Sequence, residues 1–592
     1  MPIIFSMRRF NVLILLLAAG IAGFSQDGSK MKWWNPAQND FRVIEGQGWA
    51  GELAAPYDRL PARAEKSVRR EVWNLSHNSA GLMIRFRSDA PSIHVRYQVS
   101  GPLNMPHMPS TGVSGVDLYA KDENGSWLWT RGLYRFRDTT LYMFEDLEPN
   151  DQYHKMGREY RLYLPLYNSV TWMEIGVPDS CLFTPLPVRL EKPIVAYGTS
   201  IMQGACASRP GMAWASILGR AFDRPLINLG FSGSAFLETE LIGLMTEIEA
   251  KIYILDCLPN MMNPSHFSRE ELFRRIVASV RQIREKRPGI PILLIDHSGY
   301  PDGSLNPVRQ SDFTGANETN HKAFAQLKAE GFKDIYLLTY DMIAPTLDSS
   351  VEGTHPSDLG MQQYSDAAED IMRMILKEPV GQTITTKPCT QYREPGMYDW
   401  EARHELLLEM NAKEPPRTVF IGNSITHYWS GEPSHFQHRG DEAWNKVLKP
   451  LGTRNFGFGW DFVQNVLWRI YHDELDGYQA ERVILNIGTN NLSSCSDEEI
   501  LEGMKLIIRA IQVRQPSANI LLLGLYPRRK MEGRVSAINL KYARLAGDMN
   551  VGYADPGQLL LKPDGTIDEN LFTDGLHPNG AGYMKIAEGL KK

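Results

Sequence analysis

"PIVAYGTS", Pro193 to Ser200, is a short apolar run that stops abruptly at a Gly-x-Ser turn. An apolar run with no alternating polar face reads as a strand buried on both sides of a sheet. The texture then turns helical. In "MAWASILGRAF", Met212 to Phe222, the residues Trp214, Ile217, Leu218 and Ala221 fall on one stripe. Further apolar runs follow in "PLINLG" (Pro225 to Gly230), "KIYILD" (Lys251 to Asp256) and "PILLID" (Pro291 to Asp296). Such alternation of strand and helix predicts a parallel, doubly wound α/β sheet.

The same texture starts again beyond residue 396, with "TVFIGN" (Thr418 to Asn423), "RNFGFG" (Arg454 to Gly459), "RVILNIGTN" (Arg482 to Asn490) and "NILLLGLYP" (Asn519 to Pro527). Four small landmarks align the two stretches: Ser200 with Ser424, Asn228 with Asn455, Asn260 with Asn490, and His355 with His577. Each pair is separated by about 225 residues, so one domain is present in two copies. The closing phrase "DGLHPNGAGY", Asp574 to Tyr583, has its echo in "EGTHPSDLGMQQY", Glu352 to Tyr364.

Upstream the period changes to two. In "SIHVRYQVSG", Ile93, Val95, Tyr97 and Val99 share one face, and "DLYAKDENGSWLWT" reads as two strands joined at Asn124-Gly125. This predicts a β-sandwich or jelly roll. The expected organisation is a signal peptide over 1–25, a β-sandwich domain over 26–185, an α/β domain over 186–378, a linker over 379–396 rich in Pro, Gly and Thr, and a second α/β domain over 397–592. Both α/β domains are expected to be three-layered around a parallel sheet.

A net charge of −6 over 592 residues, with no long basic run, argues against a nucleic-acid partner. Arg8 and Arg9 precede an apolar run from Val12 to Ala22, which is too short to span a bilayer and reads as a secretory signal. A secreted, periplasmic or extracellular location without a membrane anchor is therefore expected. Five scattered cysteines are too few for a disulfide scaffold, and no Cys or His pair has structural-zinc spacing, so no metal is expected.

Each α/β copy opens on a Gly-x-Ser turn and closes on an acid, two residues, then His. A serine hydroxyl needs a base to take its proton as it attacks a carbonyl, which His355 or His577 supplies. Glu352 or Asp574, three residues earlier, is placed to hold the imidazole in the right tautomer. Asn260 and Asn490, each just past a buried strand, are suited to donate to the oxyanion that forms.

In this order the blocks resemble the SGNH (GDSL) hydrolases, over roughly two thirds of the chain. The second copy is most similar to the platelet-activating-factor acetylhydrolase branch, through "IGNSIT", "NFGFGWDFVQNVLWRI", "IGTNN" and "DGLHPNGAGY". "GVDLY", Gly115 to Tyr119, resembles the β-rich N-terminal domain fused to bacterial SGNH esterases. The resemblance implies two flavodoxin-like domains. In the first, Ser200 is the nucleophile, His355 the base, Glu352 its orienting acid, and Gly233 and Asn260 the oxyanion donors. In the second, Ser424, His577, Asp574 and Asn490 take these roles. Two departures stand out. Met261 replaces the family's aspartate, which removes a supporting hydrogen bond. Trp460 replaces the second copy's oxyanion glycine, which predicts a narrow pocket for a small acyl group.

By analogy the resemblance implies a secreted bacterial esterase that removes O-acetyl groups from carbohydrate, plant polysaccharide in particular, through an acetyl-serine and without a cofactor. The alternatives are a non-catalytic carbohydrate-binding role for one copy, or hydrolysis of lipid acyl esters. Trp429, Trp444 and Trp460 are candidates either for core packing or for a sugar platform. Trp127 and Trp129 are expected to be buried against the neighbouring α/β domain.

Overall fold

The computed structural model describes residues 30–148, 156–393 and 396–590. The expected signal peptide lies outside the described residues. Among those residues no helix is long and apolar enough to cross a membrane, and all five cysteines are free.

The N-terminal region folds as two facing antiparallel sheets. In the strand Ile93–Val99, the buried residues Ile93, Val95 and Tyr97 alternate with more exposed ones, as one core-facing side of a sandwich requires. Asp117–Lys121 and Trp127–Thr130 pair antiparallel across the Asn124-Gly125 turn, where Gly125 takes φ +78°. The two tryptophans of that second strand part company. Trp127 donates its indole N–H to the Arg220 carbonyl of the first α/β unit, whereas Trp129 is half exposed and bonds Asp117.

Each α/β unit carries a five-stranded parallel sheet. In the first the spatial order is Leu226–Gly230, Ile194–Gly198, Ile252–Asp256, Ile292–Ile295 and Ile335–Leu338. In the second it is Thr453–Gly457, Thr418–Gly422, Arg482–Asn486, Asn519–Leu523 and Gly552–Ala554. Both follow the flavodoxin-like order, with the first strand beside the second and third. Within the first strand, Val195 and Tyr197 feed the core on one face while Ile194 and Ala196 feed the other. Both faces are covered, so the apolar run has no polar alternation to show.

The three units meet around buried charge. Asp223, at the end of a helix of the first α/β unit, lies 2.8 Å from Lys121 and 2.7 Å from Arg161 of the sandwich. It also lies 3.3 Å from Arg189 and accepts the Trp468 indole N–H of the second α/β unit at 3.0 Å. Burial alone would raise this carboxyl, but Lys121, Arg161 and Arg189 outweigh it and hold the group far below the usual carboxylate range. Arg224 and Lys251 of the first unit pair with Asp473 of the second at 2.9 and 2.6 Å. The segment expected to be a linker is packed into this joint. Thr385, Thr390 and Gln391 are buried, Thr390 meets Lys121, and Tyr392 donates to Glu159 at 2.8 Å.

Candidate active sites

Ser200 and Ser424 occupy the same place in their units. Thr199 and Asn423 cap the short helices Ser200–Gln203 and Ser424–His427 by accepting the N–H two residues on. Each serine is thereby the first helical residue above the end of a central strand. Each is only 7% exposed.

The histidine loops converge on these serines from the opposite end of each unit. His355 Nε2 lies 2.9 Å from Ser200 Oγ, and His577 Nε2 lies 2.9 Å from Ser424 Oγ. Both loops are closed by the same backbone bond, Val351 N–H to the His355 carbonyl and Thr573 N–H to the His577 carbonyl. The acids do equivalent work by different means. One oxygen of Glu352 takes both the His355 backbone N–H at 2.8 Å and the ring Nδ1 at 2.5 Å. Asp574, one methylene shorter, uses both of its oxygens, with Oδ1 taking the His577 backbone N–H and Oδ2 facing Nδ1, each at 2.7 Å. Burial lowers the His577 imidazolium below its ordinary value, against the pull of Asp574, with Arg439 and Arg528 adding to the fall.

The positions expected to hold the oxyanion also correspond. Asn260 accepts the Ala235 N–H at 3.1 Å through its carbonyl oxygen, which leaves its amide N–H groups free of that bond. Asn490 spends one amide hydrogen on the Asp461 carbonyl at 2.9 Å, and an amide nitrogen carries two. Gly233 and Trp460 share a left-handed backbone, with φ +65° and +62°. A Cβ built on Gly233 would meet nothing within 4 Å. The corresponding Trp460 side chain accordingly projects into the open and is 44% exposed, while Trp429 and Trp444 are core residues. The indole, turned outward, does not forbid the backbone turn. Met261 is buried in the core, whereas its counterpart Asn491 accepts the Val463 N–H at 3.0 Å, so that bond is present in only one copy.

Other residues at these sites have no signature in the sequence. The sandwich contributes His107, whose ring stacks on His355 at 5.6 Å, and Tyr167, whose hydroxyl donates to the Ser200 carbonyl at 3.3 Å. Cys206, a few residues past the serine, joins His107 and His355 in a group whose ligand atoms lie within 4.8 Å of one another. In the second site a Tyr428 ring stands 5.3 Å from His577 instead.

Behind Ser200, Asp256 ends the central strand with both carboxylate oxygens buried and without a hydrogen-bond partner among the described residues. Burial pushes it up to about 7. Its register counterpart, Asn486, is satisfied by donating to Gly524 at 2.9 Å. A raised carboxyl binds its proton in the folded state while the unfolded chain has already released it. Stability from this group is therefore complete below about pH 4 and declines as pH rises to about 7. Asp256→Asn should gain on the wild type by about 4 kcal/mol between pH 4 and 8. Urea denaturation of both proteins at the two pH values checks this, and an unchanged difference would refute it.

The profile of the GDSL-like lipase/acylhydrolase family matches residues 191–373, and a second profile of the same description matches residues 420–585. Residues 31–183 match the N-terminus of SGNH-hydrolase-type esterases. The chain is 30% identical over 217 residues to the rat platelet-activating factor acetylhydrolase IB subunit alpha1, covering 36% of this chain and 88% of that protein. It is 32% identical over 197 residues to the human subunit alpha2, covering 32% and 81%. A crystal structure of a protein described as a GDSL-like lipase, from Bacteroides ovatus, is 30% identical, with a TM-score of 0.54, over 59% of this chain and 98% of that one.

Proposed function

This chain belongs to the GDSL-like lipase/acylhydrolase family and is a carboxylic ester hydrolase, and from that premise we propose a carbohydrate acetyl esterase with two serine sites. The observation that carries the reading is the hydrogen-bonded Ser–His–acid series, present twice at matching distances. Ser200 or Ser424 attacks the acetyl carbonyl as His355 or His577 takes its proton. The oxyanion meets the Asn260 or Asn490 amide together with the backbone N–H of Gly233 or Trp460. The protonated imidazole returns its proton to the departing sugar alcohol, and water, activated by the same base, releases acetate from the acyl-serine.

The choice of acetyl rests on relatives named as acetylhydrolases, and Trp460 stands 44% exposed at the position that corresponds to Gly233 of the first copy. That exposed ring also offers a face on which a sugar ring stacks. The reading includes export, which the charged and apolar pattern of residues 1–25 supports.

The test is hydrolysis of 4-nitrophenyl acetate by the wild type, Ser200→Ala, Ser424→Ala and the double variant. Both single variants should keep part of the rate and the double variant none. A single variant without activity would refute the two-site reading. Faster hydrolysis of octanoyl than of acetyl esters would overturn the acetyl assignment in favour of a lipid substrate.

A further inference from the structure

We propose that the first site carries a metal-binding position formed by His107, Cys206 and His355, through which a borderline divalent cation such as zinc closes that site and leaves the second open. The inhibitory part rests on reading Ser200 and His355 as a working esterase pair. The three ligands come from the sandwich, from the turn after Ser200 and from the histidine loop, so no spacing in the sequence announces them.

Their chemistry and geometry suit zinc. Two imidazoles and a thiol are its common ligands, with Zn–N of about 2.0 Å and Zn–S of about 2.3 Å. A tetrahedron of that size puts ligand atoms roughly 3.5 Å apart. Here they already lie within 4.8 Å of one another, with the two rings stacked at 27° and Cys206 Sγ 3.3 Å from the His107 carbonyl oxygen. Side-chain rotations of about 1 Å close the remainder. Cys206 is buried, and on ligation its S–H proton passes to water while the sulfur binds the cation.

Binding there and catalysis exclude each other. Both nitrogens of His355 are in use, Nδ1 on Glu352 and Nε2 on Ser200. A cation that takes the lone pair of either nitrogen removes one of those contacts, so the base is no longer available to the serine.

The second site has nothing comparable. Its histidine faces the Tyr428 ring, and the position matching Cys206 is Ser430, whose hydroxyl donates to Asp441 at 2.6 Å. A phenol and a hydroxyl are poor ligands for zinc beside imidazole and thiolate. Among the described residues no other such group of three is gathered.

The experiment titrates zinc chloride into metal-free Ser424→Ala and Ser200→Ala chains while following 4-nitrophenyl acetate. Cobalt(II) is added in parallel to reveal a thiolate-to-cobalt charge-transfer band. Micromolar zinc should slow Ser424→Ala by about tenfold or more, reversibly with EDTA, and alter Ser200→Ala by less than about twofold. Adding Cys206→Ser to Ser424→Ala should abolish the cobalt band and raise the half-inhibitory zinc concentration by about tenfold or more. Equal inhibition of the two chains, or inhibition and a band untouched by Cys206→Ser, would overturn the proposal. If Ser424→Ala has no activity even without metal, the esterase reading of the first site fails. The cobalt band, present in that chain and lost with Cys206→Ser, then still decides the metal position.

Discussion

His577→Ala, introduced into a chain that already carries Ser200→Ala, should lower kcat for 4-nitrophenyl acetate by about 10⁴-fold or more. The background variant silences the first site, so the whole remaining signal reports on the second. His577 Nε2 stands 2.9 Å from Ser424 Oγ, and without it the hydroxyl must surrender its proton to water. The rate left over measures what the oxyanion donors achieve alone. The pH profile of the background variant gives an independent check. Only the neutral imidazole accepts a proton, and burial lowers His577, so the acid limb of kcat/KM should fall below the ordinary imidazole value of about 6.5. A loss smaller than about tenfold in folded protein would remove His577 from the mechanism.

Asp223→Asn should cost about 3–5 kcal/mol in stability, the usual consequence of stripping one partner from a buried ion cluster. Lys121, Arg161 and Arg189 would be left crowded around an amide that cannot neutralise them. Because those cations belong to the sandwich and to the irregular segment that leaves it, the damage should fall on the joint between units. Calorimetry should show an earlier, divided transition in place of a more cooperative one. A shift equivalent to less than about 1 kcal/mol would mean that the cluster is neutralised well enough by Glu159, 2.9 Å from Arg161, and Glu45, 2.6 Å from Arg189.

These two sites differ in how much of each the chain discloses. Ser424, His577 and Asp574 stand in short local phrases, a strand-ending turn and an acid-x-x-His loop, whose chemistry is readable without the fold. The doubled order of strands is legible for the same reason, since burial on both faces leaves apolar runs of recognisable length. His107 is not legible, because "NMPHMPS" is ordinary loop sequence until the sandwich sets it against His355. Asp223 likewise is one acid at a helix end until three cations from elsewhere surround it. The stretch from 379 to 396 has linker composition because it makes no regular elements. Its burial arises from side chains such as Thr390 and Tyr392, which meet Lys121 and Glu159 of the sandwich and Glu401 of the second α/β unit. Tryptophan is ambiguous for a related reason: a ring that fills a core and a ring that borders a cleft are written with the same letter, and only exposure separates Trp429 from Trp460.

The buried ionic joint has a kinetic corollary. Two centres on a floppy tether sample many separations, so a polymer held at one finds the other at an effective concentration set by tether length. Here salt-bridged interfaces, with the intervening segment tucked between them, take the place of the tether, and the separation becomes a fixed gauge. On the proposed two-site reading, a long ester chain would profit from both centres only when its own contour matches that gauge, and short oligomers would meet two independent catalysts.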